Sequence, residues 1–214
     1  MKIFAIFIVQ RDVQPLRLLS TEYDLNSFGY FQRGSIQEFM NFFAKTLAER
    51  NPQAGQRQSV ANQGIIIQMF LIPHHMSILY VDYMGHVYSK SSQLSGVVIA
   101  DKEYVPRVAF AVLNKVLDEF SGRFPPNQWQ SAPLNWPELK DIMARYQNPH
   151  EADNLLRVQK ELDETKIIMH KTIESVLQRG DKLDDLVNKS EELSMASKAF
   201  YKTAKQTNSC CKIM

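Results

Sequence analysis

The residues with the most specific chemistry are the last five, Cys210-Cys211-Lys212-Ile213-Met214. The final four fit the C-a-a-X box, in which a cysteine thiol is prenylated, and a terminal methionine favours farnesyl. Cys211 is therefore the expected farnesyl acceptor and Cys210 the expected palmitoyl acceptor. One lipid gives only marginal membrane residence and two give a stable anchor. Lys212 departs from the pattern, occupying a position that is often aliphatic. These are the only 2 cysteines, and they are adjacent, so they staple no core and, with no histidine near them, build no zinc site. His74-His75 lack carboxylate or cysteine company at ligand spacing, and a turn is the simpler role. No G-x-x-x-x-G-K-[ST] loop occurs. Neither a catalytic constellation nor a cofactor or metal site is expected; the covalent lipids are the only added groups.

A second chemical feature is Arg179, because of where it falls. From Leu155 the chain reads in alternating steps of three and four: Leu155, Val158, Leu162, Thr165, Met169, Thr172, Val176, Arg179, Leu183, Leu186, Ser190, Leu193, Ser197, Phe200, Ala204 and Thr207. Ten of these sixteen are apolar and the register never slips, which is the a/d seam of a coiled coil. The 53 residues would make a helix of about 80 Å, too long to find a core alone. An unpaired guanidinium in such a seam is costly, and a homodimer would set two like charges together. The seam calls for partner helices that offer polar acceptors, such as amide oxygens, at the level of Arg179; otherwise the helix ends at Gly180 and Arg179 is simply exposed. Beside the seam run Leu156, Ile168, Ile173, Leu177, Val187 and Met195. They either flank the same bundle core or mark a second packing state in which the segment folds back on the rest of the chain.

The elements that position these features fall in two halves. All nine prolines and seven of the eight glycines lie at or before Pro149. The expected divisions are a folded domain over 1–146, a linker over 147–153, the coiled-coil segment over 154–209 and the lipidation tail over 210–214. Lys2–Val9 reads as a strand apolar on both faces, hence mid-sheet, with Leu16–Thr21 beside it. Ser35-Ile36-Gln37-Glu38 is a capping-box signature opening a helix through about Arg50. Gly64–Ile72 and Ser77–Met84 are strands around a turn at Pro73-His74-His75, with shorter strands near His86–Ser89 and Val97–Ala100. Asp101 is expected to cap a helix through Phe120. Pro125–Pro137 reads as loop, and a short helix carrying Leu139, Ile142, Met143 and Tyr146 follows. The expected domain is α+β: an antiparallel sheet of about five strands with about three helices. On the first helix, Ile36, Phe39, Met40, Phe43 and Leu47 share a narrow arc from which Phe42 departs. Phe42 is buried by a second surface of this domain or forms an exposed docking point for the other half.

Composition sets limits. The net charge of +2 makes no case for nucleic-acid binding. The longest apolar run, Gly64–Ile72, is far short of the roughly 18–20 residues of a membrane span. Met1–Val9 imitates a signal peptide but has no cleavage pattern and meets Gln10-Arg11-Asp12 at once. The cysteine usage suits a reducing cytosol, where the glycosylation pattern Asn188-Lys189-Ser190 would stand idle. Glu151–Glu192 holds eleven acids against seven bases, whereas Leu193–Met214 holds four lysines and no acid, so the positive end is beside the lipid acceptors and suits an anionic membrane surface.

With these residues in view, the chain resembles the lipid-anchored longin R-SNAREs, synaptobrevin relatives without a transmembrane tail. The resemblance covers essentially the whole chain. Its most specific stretches are Glu161–Lys166, Leu177–Leu186 and Ser197–Ala204 with the double cysteine. It implies a longin (profilin-like) first domain and a long SNARE helix that joins three Q-SNARE helices in a parallel four-helix bundle. In that bundle Arg179 would meet three glutamines in a central ionic layer. It also implies tethering factors and the SNARE disassembly machinery as partners. Membrane fusion in endoplasmic reticulum–Golgi, endosomal, vacuolar or lysosomal and autophagosomal transport follows, between cytosol and cytoplasmic membrane faces. Finally it implies an autoinhibited state in which the SNARE segment packs on the longin domain, with Phe42 at the docking position. A vesicle-coat subunit or a tether is the rival reading, since longin-like domains occur there too.

Overall fold

In the computed structural model the described residues are 2–51, 53–72, 75–90, 93–147, 168–177 and 181–210, with side chains described outside 62–82, 168–169 and 206–210. The expected layers Leu155, Val158, Leu162 and Thr165, the arginine Arg179 and the lipid acceptor Cys211 lie outside the described residues. Met169, Thr207 and Cys210 are placed by backbone only.

The architecture is built on β1 (Ile3–Gln10). Its side chains are apolar on both faces, so it can be satisfied only with cover on each side. Phe4, Phe7 and Val9 enter one core, and Ile3, Ile6 and Ile8 enter another. Its antiparallel neighbours are β2 (Arg17–Tyr23) and β5 (Leu94–Asp101). The sheet continues through β4 (His75–Ser89) and β3 (Arg57–Ile72) to β6 (Ile168–Thr172), in the order β2-β1-β5-β4-β3-β6. One face is covered by α1 (Arg33–Glu49), and the other by α2 (Pro106–Arg123) and α3 (Glu138–Tyr146). Three separate helices follow β6: α4 (Ile173–Val176), α5 (Leu183–Lys189) and α6 (Met195–Cys210).

Several elements differ from expectation. Among the described residues the sheet has the five strands expected of the first domain and a sixth, donated by the C-terminal segment and parallel to β3. The short strand expected near His86–Ser89 is the base of one long strand, β4. At Gly85, between those two expected strands, the missing side chain is what lets β4 pass beneath α1. A Cβ at Gly85 would stand 2.3 Å from Leu47 Cδ1 and 2.8 Å from Phe43 Cε1. Asp101 does not cap α2. It ends β5, and the helix begins at Pro106, whose fixed φ and missing N–H suit a first helical position. The segment Pro125–Pro137 is not wholly loop, since Pro126–Ser131 forms a 3-10 turn that buries Trp129 against Phe120. The continuous helix expected over the coiled-coil segment is absent among the described residues, which show a strand and three separate helices instead.

Replacing Gly85 with alanine should destabilise the domain by about 1–3 kcal/mol through overpacking, measured as a fall in thermal midpoint; an unchanged midpoint would contradict the packing described.

Candidate functional site

The site is the surface on which the C-terminal segment lies, formed by α1 and the edge of β3. It starts with a backbone requirement. As the edge strand of the first domain, β3 would leave a row of N–H and C=O groups open at its start. The strand β6 fills that row, running parallel from Arg57 opposite Ile168 to Ala61 opposite Thr172. Behind this pair, the His86 imidazole is fully buried and its Nδ1 lies 2.9 Å from Ser59 Oγ. Burial first, then the charge of His170 on β6, pushes its pKa down to about 3, so it is a neutral structural group. Among the described residues no cluster of His, Cys, Asp or Glu could hold a metal ion.

From β6 the chain crosses α1. Ile173, Leu177, Val187, Leu193, Tyr201 and Ala204 are buried in the same core as Phe39, Phe43 and Leu47 of α1. The Tyr201 ring stacks on Phe39 at 5.6 Å and 20°, and Phe39 in turn meets Phe42 at 6.0 Å. Phe42 is half-buried. With Pro15, Leu16, Thr46 and Leu186 it lines a cleft of about 310 Å³ between α1, the β1–β2 loop and α5.

Polar groups fasten the edges of this contact. A Glu38 Oε accepts from the Ser194 N–H at 2.9 Å and from the Ser197 hydroxyl at 2.7 Å. Ser194 Oγ meanwhile accepts from the Ser197 N–H at 3.2 Å. The carboxylate thus serves the open N–H end of α6, where a negative charge is favoured. The Ser35…Glu38 signature points to the right carboxylate and the wrong helix: α1 begins at Arg33 with no side-chain cap, and Glu38 caps α6 in trans. Lys45 pairs with Glu192 at 2.6 Å and Arg50 with Asp181 at 3.2 Å. Within the segment, the Tyr201 hydroxyl donates to Asp184 at 2.6 Å, and Lys205 also binds that carboxylate. Burial, then the bond to Asp184, pushes the Tyr201 phenol well above its ordinary value. Hydrogen bonds from Lys205 and then Tyr201 hold Asp184 below the usual carboxylate range. At Glu38 burial acts to raise the pKa, but the bonds from Ser197 and Ser194 outweigh it and the net shift is downward. The magnitudes rank these contacts: exposed ion pairs contribute about 0–1 kcal/mol each, whereas burying a large apolar side chain contributes about 1.5–3 kcal/mol.

The expected layer residues are divided by this arrangement. Leu193, Ser197 and Ala204 are buried, Val176, Leu183, Leu186, Ser190 and Phe200 are half-buried, and Thr172 is exposed. Of the residues beside the seam, Ile173, Leu177 and Val187 are buried, while Met195 is 82% exposed. Glu38, Lys45, Arg50, Asp184, Tyr201 and Lys205 were not singled out by the sequence as parts of such a site. The last three are brought together only by the turn between α5 and α6, which no helical periodicity announces.

Glu38 and Asp184 have depressed values in the folded-back state, so their contribution is complete above the ordinary carboxylate range and is lost as pH falls through the lowered values. Hydrogen-exchange protection of α6 should therefore hold from pH 8 to about 5 and decline below about 4. Glu38→Gln should lower the protection at neutral pH and flatten part of that decline; a profile identical to the wild-type one would show that Glu38 does not cap α6.

The C-terminal segment thus occupies its own first domain through strand pairing, apolar burial and a carboxylate cap. No helix among the described residues is long and apolar enough to cross a membrane. Residues 25–143 match the family described as a regulated-SNARE-like longin domain, and residues 154–213 match the synaptobrevin family. The chain is 50% identical over 214 residues to the synaptobrevin homolog ykt6 of Schizosaccharomyces pombe, covering 99% of this chain and 98% of that one. It is 49% identical over 219 residues to the synaptobrevin homolog YKT6 of Eremothecium gossypii, covering all of both chains. With that of Yarrowia lipolytica it shares 45% identity over 219 residues, again covering all of both. On the strength of both matched domains and these full-length relatives, the chain belongs to the longin-domain branch of the synaptobrevin family of SNARE proteins.

Proposed function

We propose that this chain supplies the arginine-bearing helix of a four-helix membrane-fusion bundle, and that the folded-back arrangement is its closed, resting state. The observation that carries this reading is an exclusion. Leu193, Ser197 and Ala204 are buried against the first domain, and as layers of a bundle they would have to be buried against partner helices instead. Similarly, residues 168–172 are a strand here and would be helical there. One segment satisfies either arrangement, never both.

In the open state, Leu155 through Thr207 forms a continuous helix beside three Q-SNARE helices, with Arg179 placed opposite their acceptor side chains. Zippering toward the tail draws the lipid-bearing membrane to its target, using the free energy of burying the Leu, Val and Phe layers. The work is done by assembly rather than by catalysis. Farnesyl on Cys211 and palmitoyl on Cys210 hold the chain on the cytoplasmic face of Golgi, endosomal, vacuolar or lysosomal membranes and of endoplasmic-reticulum-derived vesicles. The closed state keeps the seam, and with it the lipid, from premature engagement and supplies a cytosolic pool. Tethering factors and the disassembly machinery act on the open and assembled forms. Phe42 belongs to the closed state, since a charge there would face the Phe39–Tyr201 stack.

Mixing the chain with three Q-SNARE helices should give a large cooperative gain in helical circular dichroism; no gain would remove the bundle reading. Phe42→Glu should enlarge the hydrodynamic radius and raise the association rate by about tenfold or more, the effect of losing one buried aromatic contact, and an unchanged radius and rate would exclude Phe42 from docking. Cys211→Ser should make the chain wholly soluble in cell fractionation, and membrane recovery equal to wild type would refute the lipid anchor.

A further inference from the structure

Four buried positions of the C-terminal segment, Ile173, Leu177, Val187 and Tyr201, stand one residue after an expected layer residue. Thr172 is exposed and Ile173 is 1% exposed; Val176 is half-buried and Leu177 is 8% exposed. Leu186 is half-buried and Val187 fully buried; Phe200 is half-buried and Tyr201 is 4% exposed. On a helix one residue is a rotation of about 100°, so besides the buried layer positions Leu193, Ser197 and Ala204 the first domain grips a second face beside the seam.

Three of these residues share a further regularity. Ile173, Val187 and Tyr201 stand fourteen apart, two heptads each, so on a continuous helix they form one line next to the layers. Midway between them, on the same line, stand Gly180 and Ser194. Ser194 lies at the break before α6, and Gly180 lies between the end of α4 at Val176 and the start of α5 at Leu183. Each separate helix thus carries one buried anchor on this line. The bond from Tyr201 to Asp184 belongs to the same system. Both are outside the layers, and on a continuous helix seventeen residues would separate them by about 25 Å, so the bond exists only in the folded-back form.

We propose that the line Ile173–Val187–Tyr201, with Asp184 as the hydrogen-bond partner of Tyr201, is a recognition face for the chain's own first domain, distinct from the layers that recognise partner helices. The segment carries two addresses one residue apart, and the closed-to-open ratio is set on the first without altering the second. The inference rests on the two-state reading above and names the residues that regulate it.

The test uses the full-length chain and two readouts. Hydrogen exchange at Ile168–Thr172 and α6 reports the folded-back form, with β1 and β5 amides as the internal control for an intact first domain. Association with three Q-SNARE helices that the wild-type chain joins, and the melting temperature of the product, report the layers. Val187→Asp and Tyr201→Ser should each raise exchange and association rate by about tenfold or more and leave the melting of the bundle near wild type. Leu186→Asp, one residue away and in a layer, should lower that melting sharply. Tyr201→Phe, which keeps the ring and loses the bond to Asp184, should fall between wild type and Tyr201→Ser in exchange. Unchanged exchange in Val187→Asp and Tyr201→Ser would overturn the proposal, as would bundle melting lowered by them as much as by Leu186→Asp. If the wild-type chain joined no helices, the bundle reading would fail, whereas the exchange measurements would still decide whether this line holds the folded-back form.

Discussion

The backbone N–H and C=O groups of Ile168–Thr172 can be satisfied once. They pair either with Arg57–Ala61 of β3 or along their own helix, and no geometry does both. Everything else in the C-terminal half follows from which choice is made. While the strand is in place, the described residues after it lie against α1 as three separate helices. In the proposed open state the strand is released, the same residues wind into one rod, and the edge of β3 is open.

The first domain is built to tolerate either outcome. Its own two cores, on either side of β1, are made largely by residues of 1–146. Among the described residues, the second core, beneath α2 and α3, takes nothing from the C-terminal segment. The first is extended by it: Phe39 and Phe43 meet the domain's own strands, and Phe39 also stacks on Tyr201. The docked segment is therefore an added layer on α1 rather than a missing piece of the sheet's interior. Its hold combines a few apolar anchors with peripheral ion pairs and a carboxylate on a helix end, a combination suited to reversible binding.

Much of this was legible in the sequence, for identifiable reasons. The two-faced apolar run of β1 could only be mid-sheet. The line Ile173, Leu177, Val187 was visible as surplus apolar surface beside that seam, and the structure gives it a place to be buried. What periodicity could not supply was the strand at Ile168–Thr172, because its sequence fits a helix equally well and only the open edge of β3 selects the extended form. Nor could it supply the trans cap by Glu38, because a capping box describes neighbours in sequence and this carboxylate serves a helix more than 150 residues away. Asp184, Tyr201 and Lys205 were hidden for the same reason: their meeting depends on a turn made under tertiary constraint.

The most direct test of the central claim is native-state hydrogen exchange at the amides of Ile168–Thr172 and of Arg57–Ala61, followed through partner addition. If a single segment is shared between the two arrangements, both sets are protected in the free chain. On addition of three Q-SNARE helices, the amides of Arg57–Ala61 that bond to β6 should lose protection, those that bond to β4 should keep it, and Ile168–Thr172 should be protected in helical form. Continued protection of the β6-facing amides of Arg57–Ala61 in the assembled bundle would mean that strand and bundle coexist, which contradicts a segment that must choose between them.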